Sequence, residues 1–218
     1  MPAARSKPLP SSRARTKVVW CALAGAMTAG VGLLSLLDPG SPARTGGVSL
    51  SPLMAVSGTR GVEAVLQTRN PIEDGRWTSI VLVHSGSPVG SPAAIEESHR
   101  AVGYDGLGFH FVVGNGAGMS EGQIHVGYRW MDQLDGAQLA GLAGSSKGIV
   151  EVCLVGDGDR RPFGKEQLLR AAQLVSTLAD NLGIPPESVV LHQDLAQTSS
   201  PGRFFPRQAF EELLASMR

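Results

Sequence analysis

Thr78-Ser79-Ile80-Val81-Leu82-Val83-His84 is the stretch from which the fold can be read. Its centre is apolar at successive positions, and successive strand residues face opposite ways. A strand built from it needs apolar cover on both sides and belongs in the interior of a sheet. The Gly-, Ser- and Pro-rich residues 85–92 that follow form a loop. Ser91 and Pro92 end it as helix N-cap and first helical residue, opening a helix that runs through Ile95 and His99 to about residue 102.

Further along, residues 108–113 read as a strand and residues 123–128 as its hairpin partner. Between them lies Gly114-Asn115-Gly116-Ala117-Gly118. A glycine-rich phosphate cradle opens a helix, whereas here a strand follows, so this is a hairpin loop. Residues 149–155 are apolar apart from Glu151 and form a central strand. It ends in Gly156-Asp157-Gly158-Asp159, whose aspartates do not continue at the spacing of a calcium loop. Leu168, Ala172, Val175, Leu178 and Leu182 recur at helical spacing over residues 166–182, which gives a helix with one buried face, stopped by Pro185-Pro186. Val189-Val190-Leu191 is a strand from which His192 emerges to open a loop, and residues 210–217 close the chain as a short helix. The expected fold class is α/β: a single domain over residues 61–218 with a central mixed β-sheet flanked by helices.

Upstream, residues 1–17 carry Arg5, Lys7, Arg13, Arg15 and Lys17 with no acidic residue, and read as a basic cytoplasmic tail. Residues 18–37 carry no charge. As a helix they span roughly 30 Å, the thickness of a bilayer core. They are a transmembrane anchor or a signal segment, and their length favours the anchor. Either way the basic flank stays in the cytoplasm. The domain is expected on the periplasmic or extracytoplasmic side, membrane-anchored, or secreted if the segment is cleaved. Residues 38–60, rich in Pro, Gly and Ser, read as a flexible linker. The chain holds 19 basic and 19 acidic residues, so without the tail cations 14 stand against 19. That mildly acidic, dispersed balance argues against a nucleic-acid partner. Cys21 lies in the apolar run and Cys153 in the central strand, so the two do not pair.

With these elements in order, residues 77–210 resemble the type-2 N-acetylmuramoyl-L-alanine amidases, a family that includes the peptidoglycan recognition proteins and phage lysozyme-like amidases. The resemblance is carried by residues 80–92, Gly108-Phe109-His110-Phe111, residues 122–130, Cys153-Leu154-Val155-Gly156-Asp157 and residues 192–202. It implies a zinc ion that polarises the amide joining muramic acid to L-alanine and activates a water to attack it. It implies three zinc ligands: the first His of a His-His-Ser/Thr motif, a His matching His192, and a Cys or Asp before a Pro-Gly. It also implies an assisting Tyr before His110 and a Lys or Thr two positions before the last ligand.

Laid on this chain, the first ligand position is Val83, with His84 as the motif's second His, and the last is Ser200. A serine hydroxyl is a poor zinc ligand beside thiolate or carboxylate. Phe109 stands at the Tyr position, Gln138 where a His is often found, and His192 and Thr198 match the active pattern. Loss of the first His and Ser before Pro-Gly also mark the family's non-hydrolytic recognition proteins. The resemblance therefore implies a pseudoenzyme that binds peptidoglycan or muropeptide with no cofactor, using His84, His110, Gln138 and Asp194 as binding residues. The alternative is a zinc-dependent amidase in which a strand bulge turns His84 inward and Asp194 or Gln138 completes the shell with His192. A third reading pairs a loop serine with His192 and Asp194 on an extended segment.

Overall fold

The computed structural model describes residues 48–50 and 61–217, apart from 138, 140 and 143–145. Six strands, β1 Val48–Leu50, β2 Ser79–His84, β3 Phe111–Val113, β4 Ile124–Val126, β5 Ile149–Leu154 and β6 Val189–Leu191, form one mixed sheet. Their order is β1-β4-β3-β5-β2-β6. β5 runs parallel to both β3 and β2, and β2 runs parallel to β6. β4 is antiparallel to β3 and to β1. The expected mixed sheet flanked by helices is the architecture found.

Strand alternation sorts the core into two layers. Ile80 and Leu82 of β2 join Val150, Val152 and Leu154 of β5 on one face. There they meet Leu174, Val175 and Leu178 of the long helix α3, Lys165–Leu182. Val81, Val83, Val112 and Cys153 go to the other face, against Ile95 of helix α1, Pro92–Ala101. As expected, Ser91 caps α1 by accepting the Ala94 N–H at 3.2 Å. Two residues of α1, Ile95 and Glu96, are buried, so this second layer is thin and leaves room for a cavity. A short helix α2, Tyr128–Met131, follows β4 and buries Trp130, whose indole N–H donates to the Val65 carbonyl at 2.6 Å.

Where the structure departs from the sequence reading, the cause is local. β1 lies within residues 38–60, the stretch read as linker, as an edge strand of three residues. α3 ends at Gly183, whose φ of 66° is the left-handed cap, ahead of Pro185. His192 opens a single helical turn, α4 His192–Leu195, rather than a loop; the Asp194 carboxylate accepts the Leu191 N–H at 2.9 Å and holds the turn's start. One turn is too short to leave a periodic signature. The last helix, α5 Arg207–Ala215, sits a few residues earlier than expected. Residues 1–17 and the apolar run 18–37 lie outside the described residues. Among the described residues no helix is long and apolar enough to cross a membrane.

Because Leu178 is fully buried between α3 and the sheet, Leu178→Ala is expected to lower unfolding free energy by about 2–5 kcal/mol in urea titration. A loss below about 1 kcal/mol would contradict this packing.

Candidate functional site

The parallel strands β2 and β6 end side by side. Leu82 pairs with Leu191, so the next residue of each strand, Val83 and His192, are neighbours across the strand ends. A cavity of about 320 Å³ opens here. It is lined by Val83, His84, His192, Thr198 and Ser200, by the rings of Tyr104 and Phe109 that meet His99, and by Glu151, Ala137 and Leu139.

Each of these side chains is held by an identifiable local cause. β2 pairs with β5 residue for residue from Ser79↔Ile149 to His84↔Leu154, so no bulge interrupts it. Val83 is therefore turned into the groove-side core. His84 is at the rim, where its Nδ1 accepts the Gly158 N–H at 3.1 Å. Ser200 ties three segments together. Its Oγ accepts the His84 N–H at 3.0 Å, its carbonyl accepts the Gln193 N–H at 2.8 Å, and its N–H donates to Thr198 Oγ1 at 3.2 Å. The Pro201-Gly202 turn that follows lies backbone against backbone on the loop after β5. Gly202 has φ of 109°, and a Cβ there would stand 2.1 Å from the Gly158 carbonyl carbon. Asp159 fixes that contact by accepting from Ser199 Oγ and from the Arg203 N–H.

Residues 73–203 match the sequence model of the N-acetylmuramoyl-L-alanine amidase family. The chain belongs to that family. Solved structures with the same fold include the endolysin amidase LysCS of Clostridium intestinale URNW, 24% identical, covering 65% of this chain and 84% of its own, at a TM-score of 0.54. The amidase LysC of the same organism is 23% identical over 69% of this chain and 91% of its own, at 0.55. Human PGRP-IBETAC, solved in complex with glycosamyl muramyl pentapeptide, is 19% identical over 68% of this chain and 91% of its own, at 0.50. No curated protein matches the sequence.

At the three positions expected from the sequence for the zinc ligands, the chain presents the Val83 isopropyl group, the His192 imidazole and the Ser200 hydroxyl. Ser200 Oγ already serves the His84 amide. Among the described residues no three His, Cys, Asp or Glu side chains converge as a group able to hold a metal ion. This donor set does not fit zinc, which takes imidazole, thiolate and carboxylate in a closed tetrahedral arrangement.

The other expected binding residues are dispersed. Gln138 lies outside the described residues. Asp194 does not line the cavity; its carboxylate accepts from the Leu191 N–H and pairs with Arg207. His192 and Asp194 sit on one helical turn at i and i+2, which face different directions, so a serine triad through them loses its geometry. The loop serines are engaged in local bonds: Ser85 with Gly156, Ser87 with Val89 and Ser199 with Asp159.

His110 is a core residue rather than a groove residue. It is fully buried, stacked edge-on against Trp77 at 4.9 Å between centroids. Its Nδ1 accepts the Glu151 N–H at 3.0 Å, so the ring proton sits on Nε2, bonded to the Leu134 carbonyl at 2.9 Å. Burial lowers its pKa to about 4, against the raising effect of the Leu134 bond.

Sequence reading also left three groove residues without a role. His99 of α1 accepts the Gly108 N–H on Nδ1 at 2.8 Å and meets Phe109 and Tyr104 edge-on at 4.8 and 5.4 Å between ring centroids. Burial, then the Arg129 charge, lowers its pKa, which favours the neutral imidazole with its proton on Nε2. Its signal was a histidine on the buried side of an amphipathic helix. In the sequence Glu151 is the acid that interrupts an apolar strand, and Tyr104 falls in no pattern.

The depressed pKa of His110 has a stability consequence. The unfolded imidazole titrates near 6.5 and the folded one near 4, so its contribution is complete above pH 6.5 and is lost as pH falls through that window. Between pH 7 and pH 5 it should cost about 2 kcal/mol of unfolding free energy. Urea unfolding at the two pH values measures this, and the difference should shrink by about that amount in His110→Gln, leaving the contributions of His99 and His125, whose pKa values burial also lowers.

Proposed function

We propose that this chain is a peptidoglycan-binding member of the amidase family that holds a muropeptide in the groove between His192 and Phe109 without zinc hydrolysis. One observation carries the reading: Val83 and Ser200 flank His192 at the ligand positions, and the Ser200 lone pairs are turned to the His84 amide. Phe109 adds to it, since a phenyl ring at the assisting position has no hydroxyl to offer a tetrahedral intermediate. The muramyl pentapeptide bound by human PGRP-IBETAC, a protein of the same fold, supports the ligand class. Within the groove, His84 and Thr198 are the polar rim and the His99–Phe109–Tyr104 wall is the apolar side. The basic residues 1–17 and uncharged residues 18–37 support an exported domain tethered to the membrane.

The full chain, purified in detergent, should sediment with isolated peptidoglycan, release no L-alanine amino termini and hold well under about one equivalent of zinc. About one equivalent of zinc together with chelator-sensitive hydrolysis would establish the amidase reading instead. The triple variant Val83→His, Phe109→Tyr, Ser200→Cys should gain zinc binding, measured by metal content after dialysis. Its failure to do so would count against these three positions being the ligand and assisting sites.

A further inference from the structure

Glu151 differs from every other side chain of the groove. It is 1% exposed, and it is the one acidic side chain among the described residues lining the cavity. It sits on the central strand β5, facing the same side as Cys153 and the groove-side core. Neither of its carboxyl oxygens meets a partner at hydrogen-bond geometry among the described residues, although the Ser146 hydroxyl is near enough to favour its ionised form. Buried polar atoms are nearly always satisfied, so a carboxyl left this way on a groove wall points to a partner that comes from outside the chain.

Among the described residues, the polar groups around it are engaged elsewhere. The Glu151 N–H donates to His110 Nδ1 and its carbonyl accepts the His110 N–H, so its backbone is engaged. Burial pushes its carboxyl well above the usual carboxylate range, outweighing the Arg129 charge and the Ser146 hydroxyl that favour ionisation. Arg129 directs Nε to the Leu107 carbonyl and Nη1 to the Asp135 carbonyl. The Ser146 hydroxyl donates to the Ala137 carbonyl and accepts the Leu139 N–H. Space for the carboxyl is made by Gly136: a Cβ there would stand 2.2 Å from Glu151 Oε1. The same cavity is lined by apolar Val83, Phe109 and Leu139 and by polar His84, His192 and Thr198.

We propose that Glu151 is a specificity-determining residue of the groove, its carboxyl donating a hydrogen bond to a carbonyl oxygen of a bound muropeptide's peptide stem. A peptide carbonyl is an acceptor only, so it matches an acid proton and is repelled by an ionised carboxylate. A stem entering this pocket gives up water at its carbonyls, and Glu151 replaces that lost partner. The inference rests on the reading of the groove as a muropeptide site.

Calorimetric titration of the full chain with a muramyl pentapeptide tests it. Glu151→Gln keeps a donor of the same shape and should bind within about threefold of wild type, whereas Glu151→Leu should bind about tenfold or more weakly. A second measurement does not depend on the folding of any variant. In the infrared difference spectrum of the wild-type chain, the C=O stretch of a protonated carboxyl, separate from the bands of ionised carboxylates, should shift to lower frequency on adding the muropeptide. If the wild-type chain binds no muropeptide, the groove reading falls and this inference with it. If it binds, while Glu151→Leu binds equally well or the protonated-carboxyl band does not move, this inference alone is overturned.

Discussion

The unbroken parallel pairing of β2 with β5 is the constraint on which the site depends. A strand's side chains alternate, so its register decides which residues see the groove and which see α3. Six successive pairs fix Val83 toward the cavity and leave His84 at the rim. A bulge that turned His84 inward would have to break pairs at the centre of the sheet, where both neighbours of β5 are hydrogen-bonded to it. The identity of the residue at position 83 is thus a chemical decision made on a rigid scaffold.

The opposite wall is held by different means. The loop from His192 to Arg203 has little regular structure, yet it is fixed by Ser200, by Asp159 and by the contact of Gly202 with Gly158. None of these requires an ion. The turn is therefore held by the protein's own bonds, with an alcohol at position 200.

Most of the fold could be read in the sequence because its main elements are long or strongly patterned. β2, β5, α1 and α3 emerged from apolar runs, capping residues and helical spacing, close to their observed bounds. What escaped notice was short: the three residues of β1 and the four of α4 carry too little periodicity to stand out from loop. The site was partly legible. Val83, Phe109, His192, Thr198 and Ser200 meet around one cavity, whereas His110 and Asp194 do not join them. His110 is adjacent to Phe109 in sequence, but its ring is drawn into the aromatic core by Trp77 and Trp130. Asp194 could not be assigned without knowing that a helical turn, rather than an extended segment, separates it from His192. The cost of an unsatisfied buried carboxyl, about 1–3 kcal/mol, is equally invisible in sequence because it depends on what the neighbours of Glu151 are already bonded to.

The bond between the His84 amide and Ser200 Oγ bears on how readily such a site could change hands between binding and catalysis. A ligand at position 200 has few lone pairs to give, and the backbone of β2 competes for them with any cation. An atom there that is a good acceptor for an amide proton is satisfied without a metal, while one that strongly prefers a metal gives up a main-chain bond to take it. The strand end therefore acts as a resident competitor, and exchange of a single atom at this position alters two equilibria at once.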